Sequence, residues 1–312
     1  MAGSTTADRR GLHHEALIYV SDEEFLAAAV PFLEEGASNG EVTLLGVGPD
    51  LERLVLAEVG SEADVGLLRR GSDHEPLSAL RATTALHDHL RGGATRVRLL
   101  GGIPDSPWPD WLRYEASVNH LFAATSLRGL CPYDARRIPG EVLDDVERTH
   151  PYVTAPGRAS RRLAYEDPAA LINGRNRAAG EELDRTAPGL ELEDPSPTMA
   201  RRTLEQIAHH TRLEDHDIDI LCLCVAAILA NARQHGTPPV RLRAWASSAQ
   251  IDVTIRDAGT GPAEPFVGFL PRPGSDPNDP GTMHVVYEAL SGVALYTDDD
   301  GFTVRLTQTR AA

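Results

Sequence analysis

The chain has 312 residues, 41% hydrophobic and 24% charged, with a formal net charge of −16. That length suggests two domains, and the acidic balance argues against nucleic acid as a partner, because a basic face supplies most of that affinity. All 30 residues counted as Lys+Arg are arginine, which excludes Schiff-base, lysine-base and P-loop-lysine chemistry. No apolar run approaches the roughly 18 residues that would suggest a membrane span. Met1 to Arg10 lacks the apolar stretch of a signal peptide, so a cytoplasmic location is expected. Three cysteines, Cys131, Cys222 and Cys224, make neither a disulfide framework nor a zinc site.

In chain order, Ala16 to Val20 reads as a buried strand. Ser21 then caps a helix, with Glu24 placed to complete a capping box. Phe25, Leu26, Ala29, Val30, Phe32 and Leu33 recur at helical spacing, and Gly36 reads as the stop. Val42 to Val47 is the next strand and Asp50 to Val59 the next helix. Val65 to Leu68 and Val97 to Leu100 read as strands, with a helix between them from Pro76 to Leu90. Asp110 to Thr125 reads as helix, Leu127 to Leu130 as strand, and Pro139 to Thr149 as helix. Strands alternating with helices imply an α/β domain with a mainly parallel sheet.

Ala155 to Pro197 is rich in Pro, Gly, Arg and acidic residues, and residues 166–197 are expected to be a linker. Helices are expected from Pro197 to His210 and from Asp217 to His235. Val240 to Trp245 and Gln250 to Arg256 alternate as half-buried antiparallel strands do. Pro262 to Pro280 carries six prolines and reads as irregular. Met283 to Leu290 is the last expected helix. Val293 to Thr297 and Phe302 to Thr307 form a hairpin across Asp298 to Gly301.

His14 to Tyr19, Asp22 to Leu26, Pro31 to Gly36, Tyr114-Glu115-Ala116, Asn119 and Leu130 to Asp134 together make this half resemble the MEDS sensory domain. Residues 10–165 are assigned to it. The resemblance implies an α/β fold akin to RecA-like ATPases. Gly46 to Asp50 follows a strand where a phosphate loop might stand, but without Lys it is no Walker A motif. Parallel sheets bind ligands beyond the carboxyl ends of their strands, which makes Tyr19, Asp22, Cys131 and Tyr133 the candidates for an unknown small-molecule ligand. Tyr19 and Tyr133 read equally as packing residues. His13 and His14 point in divergent directions on a strand, so they read as surface residues rather than a metal pair.

Residues 198–312 resemble the α+β sandwich of the GHKL ATPases. The resemblance rests on Asn231-Ala-Arg-Gln-His-Gly236 closing an apolar helix and on Asp257-Ala-Gly-Thr-Gly261 ending a strand. Its small size and lack of a dimerising helix pair resemble the serine kinases that act as anti-sigma factors. The resemblance implies ATP and Mg²⁺ as cofactors. Asn231 is the expected metal ligand, since Mg²⁺ prefers hard oxygens. Asp257 would accept from the adenine amino group, with His235, Gly259, Gly261, Gly281 and Thr303 completing the site and Pro262 to Pro280 as its lid.

Two departures bear on catalysis. The family's general base stands four residues before the Asn, where this chain has Ala227. The second glycine box is reduced to Gly281-Thr-Met-His284. No catalytic residue is therefore assigned. The expected function is a sensor-controlled ATP-binding module with impaired kinase activity, whose protein partner is a sigma factor or an anti-anti-sigma factor. An active serine kinase and a ligand-binding scaffold with a nucleotide-free second domain are the alternatives. No membrane contact is expected, and a homodimer is a candidate assembly.

Overall fold

The computed structural model describes residues 11–68, 79–91, 96–101, 108–155, 158–161, 164–270 and 281–310. The chain divides into two compact units, Met1–Pro168 and Ala169–Ala312.

The first unit is α/β. Its strands are β1 (His13–Tyr19), β2 (Val42–Gly46), β3 (Val65–Leu67), β4 (Val97–Gly101), β5 (Leu127–Asp134), β6 (Tyr152–Ala155) and β7 (Arg158–Arg161). They form one sheet in the order β3-β2-β4-β5-β1-β6-β7. The pairs among β1 to β6 are parallel, and β7 alone runs antiparallel, to β6. Helices α1 (Asp22–Ser38), α2 (Pro49–Glu58), α3 (Ala79–Arg91), α4 (Trp108–Leu121) and α5 (Gly140–Thr149) connect them. This is the mainly parallel sheet expected from strand–helix alternation.

Side-chain alternation sorts the residues of β1 and β5 onto two faces. Leu17 and Tyr19 pack with Phe25, Ala29 and Leu33 of α1. Ala16, Cys131 and Tyr133 pack with Val146 of α5. Two local expectations change. Gly36 does not end α1; it is buried within it, where a Cβ would lie 2.5 Å from Thr43 Oγ1 and 2.7 Å from Arg98 Cδ. The Cys131 to Asp134 segment is the end of β5, a strand despite Pro132. The ladder to β4 stops at Leu130, so past that point β1 is the strand paired with β5.

Arg98 on β4 is fully buried beneath Gly36. Its Nε donates to Glu41 at 2.6 Å and its Nη1 to Glu35 at 2.8 Å and to the Phe32 carbonyl at 2.9 Å. Two carboxylates compensate one buried guanidinium, which is the condition for tolerating such a charge.

The second unit is α+β. Strands β8 (Leu190–Glu193), β9 (Arg241–Ala246), β10 (Gln250–Asp257), β11 (Gly292–Asp298) and β12 (Gly301–Thr309) form an antiparallel sheet in the order β11-β12-β10-β9-β8. Helices α7 (Pro197–Ala208), α8 (Asp215–His235) and α9 (Thr282–Ala289) contribute to one apolar core with the inward side chains of β9, β10 and β12.

Residues 166–197 are not a linker. Pro168–Asp184 forms helix α6, and β8 pairs with β9. Asn173 Nδ2 donates to the Thr297 carbonyl at 3.1 Å, and Asn173 Oδ1 accepts from the Thr297 N–H at 2.7 Å. Asn176 Nδ2 donates to the Leu295 carbonyl at 2.9 Å. Helix α6 thus fastens to edge strand β11 through polar side chains. Its composition resembles a linker because it contributes hydrogen bonds and few apolar anchors.

Candidate functional site

Strand β10 alternates, sending Ile251, Val253 and Ile255 into the core. Asp257 continues that side and emerges at the strand end, only 5% exposed. Its Oδ1 accepts from the backbone N–H of Thr237 at 3.0 Å and of Gly259 at 2.7 Å. Those donors hold the carboxylate rigidly and leave Oδ2 as the acceptor for an incoming group. Gly236 is required beside it. A Cβ there would lie 2.6 Å from both the Ala232 carbonyl oxygen and the Asp257 carboxyl carbon. Gly261 has φ +73°, with the Phe302 ring in the space a side chain would take.

These residues line a cleft of about 420 Å³ that also takes in Asn231, His235, Gly259, Thr260, Met283 and Val304. That volume suits a nucleotide-sized ligand. Asn231 and His235 stand one turn apart on α8 and so share a face. Ala227 continues the same row one turn earlier. Among the described residues lining the cleft, Asp257 is the only carboxylate. Asp219, two turns before Ala227, is ion-paired with Arg201 at 2.6 Å on an exposed surface.

Two expected members lie elsewhere. Thr303 is on the opposite face of β12, where its hydroxyl meets Arg256 Nη1 at 3.2 Å in a second, polar cleft. Phe302 and Val304 are the β12 side chains in the first cleft, because adjacent strand residues alternate faces. Gly281 caps the start of α9 with φ +101° and does not line the cleft. Of the expected lid, residues 271–280 lie outside the described residues. Residues 262–270 form turns that bury Phe266 and Phe269.

In the first unit, the four expected sensor residues do not form one site, because the sheet separates them. Tyr19 is buried on the α1 face. Desolvation, followed by the nearby charge of Asp134, pushes its pKa up to about 12. Asp22 is exposed and pairs with Arg136 at 2.7 Å; Arg136 also binds Asp134 and stands 5.9 Å over the Tyr19 ring.

Cys131 and Tyr133 point to the other face, into a buried polar cluster with His14, Glu115 and His150. His14 is therefore no surface residue: it is 2% exposed, while His13 turns outward and stacks on Tyr152 at 4.3 Å. Desolvation, helped by His150, lowers the pKa of His14. Desolvation also raises Cys131 and Tyr133 well above their ordinary values. His150 and the role of Glu115 were not anticipated. The legible signal was Glu115 and Asn119 one helical turn apart, in the same family pattern that contains His14.

Two family models match the chain. Residues 13–151 match the methanogen/methylotroph, DcmR sensory domain, MEDS. Residues 193–307 match the histidine kinase-like ATPase domain. No curated protein matches. Among solved structures, the RsbU and RsbW domains of a Mycobacterium tuberculosis protein align at 16% identity and TM-score 0.28, over 40% of this chain and 34% of that one. This chain thus spans about a third of that relative. The histidine kinase domain of the Escherichia coli osmosensor EnvZ aligns at 13% identity and TM-score 0.24, over 41% of this chain and 92% of that one. The Acinetobacter baumannii histidine kinase AdeS aligns at 12% identity and TM-score 0.27, over 65% and 96%. Among the described residues, no helix is long and apolar enough to cross a membrane. The chain thus carries a MEDS sensory domain over residues 13–151, followed by a histidine kinase-like ATPase domain over residues 193–307.

Proposed function

We propose that the second unit binds ATP with Mg²⁺ in the cleft around Asp257 and works as a protein-binding switch with strongly impaired phosphoryl transfer. The observation that carries this reading is one cleft holding Asn231, Asp257, Gly259 and Gly261 beside a helix row in which residue 227 is alanine. The residues fit the nucleotide. Asp257 Oδ2 accepts from an adenine amino group, and the glycines admit backbone close to the ligand. The Asn231 amide oxygen offers Mg²⁺ the hard ligand it prefers. The metal ion would supply charge neutralisation at the phosphates.

A serine hydroxyl is a poor nucleophile without a positioned base, and Ala227 accepts no proton. Loss of general-base assistance costs about 10²–10⁴-fold, although phosphoryl transfer leans more on positioning and charge stabilisation. The partner is a sigma factor or an anti-anti-sigma factor, and the MEDS unit sets the response to a small-molecule signal.

The test uses radiolabelled ATP with candidate partner proteins. Wild type should transfer little label, and Ala227→Glu should transfer more. Brisk transfer by wild type would overturn the impaired-kinase reading.

A further inference from the structure

Four potential ligands from separate parts of the first unit meet at one point. They are His14 on β1, Glu115 on α4, Cys131 on β5 and His150 just after α5, and all four are buried. One ligating atom from each lies within 4.8 Å of all the others. His14 Nε2 is 3.1 Å from Glu115 Oε2 and 3.3 Å from Cys131 Sγ. Glu115 Oε2 is 3.5 Å from His150 Nε2 and 3.8 Å from Cys131 Sγ. A tetrahedral ion with N and O at about 2.0–2.2 Å and S at about 2.3 Å sets its ligands roughly 3.3–3.6 Å apart. Four of the six spacings are already near those values, and the other two are within 4.8 Å. Gly129, beside His14 in the β1–β5 register, makes room for its ring: a Cβ there would lie 3.3 Å from His14 Cδ2.

The surrounding hydrogen bonds turn lone pairs toward the centre. Asn119 Nδ2 donates to the carbonyls of Glu115 at 3.1 Å and Thr149 at 2.6 Å. Asn119 Oδ1 therefore faces His14 Nδ1, at 3.1 Å, as an acceptor. His150 Nδ1 donates to the Val146 carbonyl at 2.9 Å. Both imidazoles thus carry their proton on Nδ1 and present Nε2 inward. Glu115 Oε1 accepts from Trp111 Nε1 at 2.8 Å and from the Tyr133 hydroxyl at 2.9 Å, which leaves Oε2 as the inward atom. The two Nε2 atoms, the Glu115 Oε2 and the Cys131 sulfur then face one another.

We propose that His14 Nε2, Glu115 Oε2, Cys131 Sγ and His150 Nε2 form a closed tetrahedral site for a divalent first-row metal ion, with Zn²⁺ as its occupant. A thiolate and two imidazoles exclude Mg²⁺ and Ca²⁺, which take oxygen ligands. On binding, the Cys131 thiol releases its proton to solvent. The thiolate and the Glu115 carboxylate then balance the dication, so the buried site is neutral overall. Four protein ligands and no open position mark a structural site, one that ties β1, β5, α4 and the end of α5 together. Asn119 and the Val146 carbonyl are the outer partners that orient the two histidines, as such partners do at metal centres. The ligands are scattered over the sequence, which is why cysteine spacing did not reveal the site. This inference does not depend on the nucleotide reading.

The test uses the full chain. Metal analysis of protein purified without added metal should give one zinc per chain. After chelation, Co²⁺ titration should give tetrahedral d–d bands and a thiolate-to-cobalt charge-transfer band, both removed by Zn²⁺. Cys131→Ser should lose the charge-transfer band. The Cys222→Ser/Cys224→Ser variant should keep it. Asn119→Ala should weaken metal binding about 10–100-fold. If Cys131→Ser fails to fold, zinc-edge X-ray absorption on wild type decides instead. One sulfur and three N/O neighbours support the site, and any other shell overturns it. Folded wild type that holds no zinc and shows no cobalt charge-transfer band would also overturn it, leaving a cluster held by hydrogen bonds alone.

Discussion

Asp257 shows how a functional group is set by its immediate surroundings. Two backbone N–H groups fix one oxygen, and a glycine at 236 leaves the other approachable. Asp257→Asn keeps the shape but makes that end of the side chain partly a donor. It should weaken ATP binding by about 10-fold or more, the scale of a charge-assisted hydrogen bond, as titration calorimetry would read. Gly236→Ala pushes a methyl against backbone and a buried carboxylate, and overpacking of this kind costs about 1–3 kcal/mol; urea unfolding measures it. Arg98→Ala strands Glu41, itself 4% exposed. Breaking a buried pair in this way costs about 3–5 kcal/mol, so the first unit of that variant should melt well below wild type.

At the scale of elements, the fold was largely legible because apolar periodicity marks segments that bury a face. Residues 16–20 and 97–100 show this for the parallel sheet, and 218–235 for the long apolar helix. Elements that attach through polar contacts were not legible. Helix α6 holds to β11 through Asn173 and Asn176, and its sequence reads as connection. The Asn173→Ala/Asn176→Ala double variant leaves the Thr297 N–H and two carbonyls unpartnered by those side chains. It should lower the stability of the second unit by about 1–3 kcal/mol, seen as a shift of that unit's thermal transition. Thr303 failed for a different reason: a motif position off by one residue lands on the other face of a strand. The metal-type cluster was hidden because its members are distant in sequence, and His14 looks like any polar residue until β5 and α4 are placed beside it.

At the scale of the whole molecule, each unit buries its own core, so each should show its own thermal transition. Binding to the native state alone adds stability, about 2.7 kcal/mol at one hundred times Kd. ATP should therefore raise the transition of the second unit, while chelators should lower that of the first. The most direct measurement is calorimetric titration of the full chain with ATP in the presence and absence of Mg²⁺. The expected result is saturable heat at one site per chain, stronger with Mg²⁺ and weakened in Asp257→Asn. No heat at millimolar ATP with folded protein would contradict it.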